Sequence, residues 1–413
     1  MKIALLTLGT RGDVQPYAVL GRALKNNGHD VVLSTGKNFQ SMAREYDLEF
    51  VAVEADFQAL INSDEGKAMM KNPFTARKHF RTVVQPMMIQ ALSSFYEVAK
   101  AADCVLYHVK SLGDYFADQF PQKMIRANVV PAIRTTSEFP NPVFSGLSLP
   151  SFLNRFTYRL TDLGLLMMNK AIRQFRLNAG LTRGLSKKIL LPEIYGISEY
   201  FLKKPADFPS NSVFTGFWYG ESPDELSPAV VNLLSEGKKN VVVTFGSMPF
   251  QTKFNLKESL LALSKELNIN VLVVKGWGFE NVSFEESPSV KIIQSAPFDK
   301  LFQRVNAVVH HGGIGTLSLC LKSGVPSLSC PVIYPMGDQH FWGNRAYEVG
   351  CGVKPIPLKT LTQDLLLRTV NTLLTSDAIQ QDCKKMAASL ASENGLERAI
   401  QFVESQFLKR RQI

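Results

Sequence analysis

The stretch His310-His311-Gly312-Gly313-Ile314-Gly315-Thr316 constrains this chain more than any other. It follows the apolar run Ala307-Val308-Val309 and precedes Leu317-Ser318-Leu319-Cys320-Leu321. That order reads as strand, glycine turn, helix. Such a turn leaves several backbone N–H groups without partners at a helix start, where an anion can sit. Its glycines let the backbone come close to a bulky ligand. A second glycine turn, Gly9-Thr10-Arg11-Gly12-Asp13, stands near the N-terminus, again between an apolar run and a helical pattern. Two such turns, far apart in sequence, predict two lobes that face one cleft.

The 413 residues suffice for two domains, each with its own core. Hydrophobic content of 45% and charged content of 20% suit a soluble globular protein. No apolar run has the length needed to cross a bilayer. The opening Met1-Lys2-Ile3-Ala4-Leu5-Leu6-Thr7 imitates a signal peptide, but Gly9 to Asp13 interrupt it too early. A first core strand and a cytoplasmic protein are expected. Five cysteines, at 104, 320, 330, 351 and 383, are odd in number and lack metal-ligand spacing, so buried thiols are expected. Neither HExxH nor a paired-aspartate triplet occurs. The net charge of +10 favours an anionic partner. Lys and Arg are scattered rather than gathered in a stripe with aromatics, which argues against nucleic acid. Phosphorylated ligands fit better. The tail Phe407 to Ile413 reads as a solvated helix end, with a weak peripheral membrane contact as the alternative.

Periodicity supplies the layout. Ile3 to Thr7 is a buried strand, and Val19, Leu20, Ala23 and Leu24 share one helical face. Asp13 is a candidate cap for that helix, Pro16 suits its first turn and Gly28 its end. Asp30 to Thr35 closes a β-α-β unit. Phe50 to Val53 and Cys104 to His108 are further strands, and Thr82 to Ala101 a helix. Phe152 to Phe175 reads as an amphipathic helix or helix pair, serving either the core or an apolar acceptor pocket. The pattern breaks between Gly216 and Val230, around Pro223 and Pro228, and then restarts. Strands follow at Asn240–Phe245, Val271–Lys275, Val290–Gln294, Ala307–Val309 and Ser327–Cys330, with helices at Leu256–Leu267 and after Gly315, Asp338 and Thr360. Such alternation predicts an α/β chain with mostly parallel sheets covered on both faces. The expected units are a lobe over 1–215, a linker over 216–230, a lobe over 231–392, and a helix over 393–413 that folds back on the first lobe. Neither GxGxxG nor GxxxxGK[ST] is present, so any phosphate site is of another kind.

The residues permit a coherent chemistry. Ser247 follows a buried strand and can donate a hydroxyl hydrogen bond. The turn from Gly312 through Gly313 and Gly315 to Thr316 offers backbone donors, and His310 at a strand end offers a ring nitrogen. Together they could hold a diphosphate without a metal. His311 could instead be a packing or spacer residue. Asp338 and Gln339 can exchange hydrogen bonds with vicinal sugar hydroxyls; a helix cap at Asp338 is the plainer reading, and both can hold. Asp13, beside Gly12 at a strand-to-helix junction, is the candidate base. The helix start lowers its pKa while exclusion of water raises it. Arg11 is close enough in sequence to pair with Asp13 or to reach a phosphate.

With these residues in place, the chain resembles the nucleotide-sugar-dependent glycosyltransferases of family one. It is most similar to the branch of sterol glucosyltransferases and bacterial macrolide, glycopeptide and rhamnolipid glycosyltransferases. The likeness covers essentially the whole chain and is carried by Gly9 to Pro16, Phe245-Gly246-Ser247-Met248, His310 to Thr316 and Gly337 to Gly343. It implies two facing Rossmann-like lobes (the GT-B type) with a deep interlobe cleft. It implies Asp13 as general base, Ser247 and the His310 to Thr316 turn as diphosphate cradle with His310 as the phosphate-contacting histidine, and Asp338 and Gln339 as sugar contacts. Trp277 falls in a Gly276-Trp277-Gly278 phrase like that of the sterol enzymes, and backbone near Ala296 could read the uracil. The implied activity is metal-independent inverting transfer, most simply of glucose from UDP-glucose, to a hydroxyl of an apolar small molecule such as a sterol, terpenoid, polyketide, flavonoid or lipid. No cofactor beyond this co-substrate is implied, and a monomer or homodimer is expected. The competing readings are a UDP-sugar epimerase and a nucleotide-sugar-binding protein without catalysis.

Overall fold

The computed structural model describes residues 1–53, 80–166, 168–182, 190–246, 255–275 and 287–411. Seven strands form the first sheet: β1 (Lys2–Leu6), β2 (Asp30–Gly36), β3 (Glu49–Val53), β4 (Cys104–Tyr107), β5 (Met124–Asn128), β6 (Glu193–Tyr195) and β7 (Ser212–Phe214). Five form the second: β8 (Asn240–Thr244), β9 (Asn270–Val274), β10 (Val290–Ile293), β11 (Ala307–His310) and β12 (Ser327–Ser329). Every pairing within the two sheets is parallel. The continuous apolar runs follow from this, because each strand is covered on both faces. In β1, Ile3 and Leu5 enter the core under the Arg11–Asn26 helix, while Ala4 and Leu6 face the opposite core with Leu92 and Phe95. In β8, Val241 and Val243 point one way and Val242 the other. The doubly wound architecture expected from the sequence is therefore present in both halves.

Strand order places the functional edges. The first sheet runs β3-β2-β1-β4-β5-β6-β7 and the second β10-β9-β8-β11-β12. The winding reverses between β1 and β4 in the front lobe, and between β8 and β11 in the rear lobe. Ligands of open α/β sheets bind in the crevice that such a reversal opens at the carboxyl ends of the strands. The turn Gly9–Asp13 leaves β1, and the histidine turn leaves β11.

A separate aromatic cluster joins the lobes. Phe201, Phe214 and Phe217 of the front half pack with Leu317, Phe341 and Trp342 of the rear half. Phe201 stacks on Trp342 at 6.0 Å between ring centroids, and the Arg345 guanidinium donates to the Phe201 carbonyl at 2.6 Å. The C-terminal helix Gly395–Arg411 crosses back to the front lobe, where Ala399 and Val403 share a core with Leu20 and Leu24. All five cysteines are buried. No described helix is long and apolar enough to cross a membrane.

Some sequence expectations give way here. The Arg11–Asn26 helix starts two residues before Asp13, with Thr10 as its cap, so Asp13 is not the cap and Pro16 sits past the first turn. Gly28 does follow the helix end, at φ +87°. The Phe152 to Phe175 region is a helix pair, Asn154–Leu166 and Asn169–Asn178. Ile172 and Phe175 go to the core, whereas Phe152 and Phe156 are exposed.

Candidate active site

Asp13 is fixed from three sides. The Thr10 backbone N–H donates to its Oδ2 at 2.9 Å, and the Thr10 hydroxyl to the same oxygen at 3.2 Å. This is a capping box, with the carboxylate reaching back over the first turn. The Thr7 hydroxyl, at the exit of β1, donates to the Asp13 carbonyl at 2.9 Å. Gly9 makes room: at φ +134°, a Cβ there would lie 2.2 Å from Asp13 Oδ2. Gly12 has only Thr10 near it and presents an open backbone. Arg11 is exposed and bonds Gln15, so it does not pair with Asp13.

The partner of Asp13 comes from the other strand at the reversal. Lys110, on the short turn Val109–Ser111 after β4, places its ammonium 2.7 Å from Asp13 Oδ1. Burial raises the Asp13 carboxyl, but the Lys110 charge, His108 and the Thr10 N–H outweigh it and hold the group below its ordinary value. His108 lies edge-on to Tyr17 at 6.0 Å, and burial lowers it to about 4, so it is neutral near pH 7. Sequence reasoning passed over Lys110. Its position after a strand was visible, but nothing in the sequence says that β1 and β4 are neighbours.

The rear turn is built differently. Gly313 caps the Ile314–Lys322 helix without any side-chain hydrogen bond, and a Cβ on Gly315 would meet open space. The first-turn N–H groups, including those of Gly315 and Thr316, are left for a ligand. Gly312, at φ +89°, lies directly against the backbone of Gln339; a Cβ there would be 2.7 Å from the Gln339 carbonyl. The histidine turn and the Asp338-Gln339 corner are thus one continuous surface.

The two histidines differ in what holds them. β11 runs one residue further than its apolar pattern, so His310 is a strand residue facing the core and fully buried. Its Nδ1 accepts the Gly312 N–H at 3.1 Å, and its Nε2 lies 3.5 Å from the Ser329 hydroxyl. Burial lowers it to about 3. Its nitrogens hold the turn from behind. The ring of His311 stands instead between Gly246 and Gly313: a Cβ on Gly246 would be 3.1 Å from it, and one on Gly313 2.4 Å. The His311 Nδ1 is a buried atom without a hydrogen-bond partner among the described residues. Burial lowers this ring to about 4, so it too is neutral near pH 7.

Asp338 caps the Gln339–Glu348 helix, and its Oδ2 accepts the Trp342 indole N–H at 3.0 Å. Burial raises its carboxyl, partly opposed by Lys110 from across the cleft. The Gln339 Oε1 accepts the N–H groups of Val332 and Ile333 at 2.8 and 3.1 Å, which leaves its amide nitrogen as the group to offer a sugar. Ala296 lies in the loop between β10 and the Phe298–Leu301 helix, partly buried against the rear core. Ser247 and Trp277 lie outside the described residues. Among the described residues no group of three or more His, Cys, Asp or Glu could hold a metal ion.

Comparison with known proteins bears on the fold and its relatives. Residues 3–107 match the glycosyltransferase family 28 N-terminal domain, and residues 271–402 the erythromycin biosynthesis protein CIII-like C-terminal domain. A sterol 3-beta-glucosyltransferase of Arabidopsis thaliana is 27% identical over 419 residues, covering 97% of this chain and 64% of that protein. The O-mycaminosyltylonolide 6-deoxyallosyltransferase of Streptomyces fradiae is 27% identical over 423 residues, covering 98% and 97%. Among solved structures, the glycotransferase of kitacinnamycin superposes with a TM-score of 0.73 at 18% identity, covering 98% of each chain. The glycosyltransferase VinC in complex with DTDP gives 0.69 at 16% identity, covering 98% and 99%. The chain is a GT-B relative of the sterol and macrolide glycosyltransferases. It spans 28% to 67% of the length of the sterol glucosyltransferases that it matches.

Proposed function

We propose that the protein transfers a sugar from a nucleotide-sugar donor to a hydroxyl of an apolar small molecule, with inversion at the anomeric carbon. One observation carries this reading most. A buried carboxylate, Asp13, is held at the front reversal and feels the charge of Asp338, whose corner adjoins the open-backed glycine turn at the rear reversal. Asp13 accepts the proton of the acceptor hydroxyl as its oxygen attacks. The diphosphate leaves toward the N–H groups of Gly315 and Thr316 and the ring of His311, donors already oriented before reaction. Asp338 and the Gln339 amide hold the sugar. Bringing two bound substrates together supplies a further part of the acceleration. The cradle meets the growing charge with amides, so we infer that turnover needs no divalent cation. Glucose from UDP-glucose is the first donor to test. A TDP-sugar is the second, since a relative of the same fold is bound to DTDP.

The test is an acceptor panel of sterols, terpenoids, polyketides and flavonoids, assayed with UDP-glucose and TDP-glucose by product mass, with and without EDTA. Glycosylated product is expected in both buffers. Conversion of the donor sugar with no acceptor present would favour an epimerase instead. Asp13→Asn should bind the donor normally and lose about 10²- to 10⁴-fold in kcat. Undiminished turnover by that variant would remove Asp13 from the mechanism.

A further inference from the structure

Both oxygens of the Asp13 carboxylate are engaged, by groups of different kinds. Thr10 holds Oδ2 from within the turn, whereas Lys110 reaches Oδ1 at 2.7 Å from a different strand. The Lys110 side chain is 55% exposed and that of Asp13 10%, so the cation approaches from the cleft rather than from the core. The same ammonium acts on Asp338 of the rear lobe, and each member of that pair favours the charged state of the other. One lysine thus pairs directly with the candidate base and interacts by charge with a candidate sugar contact of the other lobe.

We propose that Lys110 is a positioning residue for transfer: it holds Asp13 Oδ1 in place for the acceptor hydroxyl. The inference rests on Asp13 being the base. In the step itself, the acceptor proton passes to Asp13 Oδ1 while the acceptor oxygen bonds to the anomeric carbon. The bond from that carbon to the diphosphate oxygen breaks, and its electron pair leaves with the diphosphate. Asp13 becomes neutral, and Lys110, protonated throughout, loses its counter-charge as negative charge grows on the donor.

The titratable and charged groups facing Asp13 are Lys110 and His108 from the end of β4, Tyr17 from its own helix, and Asp338 from the rear lobe. Of these, Lys110 is the main counterweight to burial. Its removal leaves burial opposed only by His108 and the Thr10 N–H, so the Asp13 carboxyl moves up and the acidic limb of kcat/KM moves to higher pH. For Lys110→Met we expect that limb to rise by about one pH unit or more. We expect kcat/KM near neutral pH to fall roughly tenfold, with a small drop in melting temperature from the unpaired Asp13 charge and an unchanged donor Kd. Lys110→Arg should restore the limb, and Lys110→Gln serves as a second neutral variant should the methionine fold poorly. A limb that stays in place in both neutral variants overturns the proposal. Asp13→Asn, run in parallel, separates the two ideas. If it is inactive while the limb stays in place, only the role of Lys110 falls; if it turns over normally, the base reading itself falls.

Discussion

The two glycine turns share a position and differ in what fills them. Each leaves a parallel strand at the reversal of its sheet and opens a helix. In the front lobe the helix start is occupied by the protein's own carboxylate, which accepts the Thr10 N–H and hydroxyl. In the rear lobe no described side chain bonds the helix start: Gly313 is the cap residue, the His311 ring stands beside it, and among the described residues a Cβ on Gly315 meets no atom within 4 Å. A helix N-terminus favours negative charge in either case. Supplied internally, that charge is a fixed group that can act on a substrate. Left for a ligand, the same geometry becomes a phosphate site. One fold element thus supports both halves of a two-substrate reaction.

Substitutions at the glycines can break this contrast. The largest effect is expected from Gly9→Ala, where the positive φ and the 2.2 Å approach to Asp13 Oδ2 both forbid a Cβ. It should destabilise by about 1–3 kcal/mol and abolish transfer, read by thermal melting and product formation. Retained activity would mean that Asp13 need not be held where it is. Gly313→Ala comes next, because its Cβ would press on the His311 ring at 2.4 Å. Donor affinity should drop roughly tenfold, about 1.4 kcal/mol by calorimetry, with little change in acceptor KM. Gly12→Ala is its control: the nearest atom is 3.9 Å away, and donor affinity should hold. If both variants lose donor affinity equally, the assignment of cradle to the rear turn fails. The smallest effect belongs to Thr10→Ala, which removes one hydroxyl bond and the cap, for a loss of about 1 kcal/mol in denaturant unfolding.

The legible parts of the sequence were those where one rule acted alone. β8, β9 and β11 read as strands because burial on both faces demands unbroken apolar runs. The short strands β6 and β7 did not, since they carry Glu193 and Ser212 inside the sheet. These are tolerated because Arg126, Arg134 and Ser212 all bond the Glu193 carboxylate, at 2.6, 2.9 and 2.8 Å. A buried charge is acceptable when so fully paired, but the partners lie far apart in sequence. Asp13 was legible as a residue of interest from its turn. Its geometry was not, because the helix begins earlier than the apolar pattern. The histidine pair shows the same limit at finer scale. A strand one residue longer than its apolar run turns His310 inward and sets the His311 ring between Gly246 and Gly313, and their rings stand at 89°.

The helix Gln339–Glu348 has two duties. Its start carries Asp338 and Gln339, and its body is the part of the rear lobe most firmly held by the front one, through Phe139 on Phe341, Phe201 on Trp342 and Arg345 on the Phe201 carbonyl. The preceding loop is tied as well, by the Gly337 N–H on the Val143 carbonyl at 2.8 Å. Hybrid enzymes made by exchanging whole halves between relatives would cut through this seam. A chimera that brings a new donor half should therefore also import the matching 139–146 and 201–217 segments, or sugar choice and domain docking will be disturbed together.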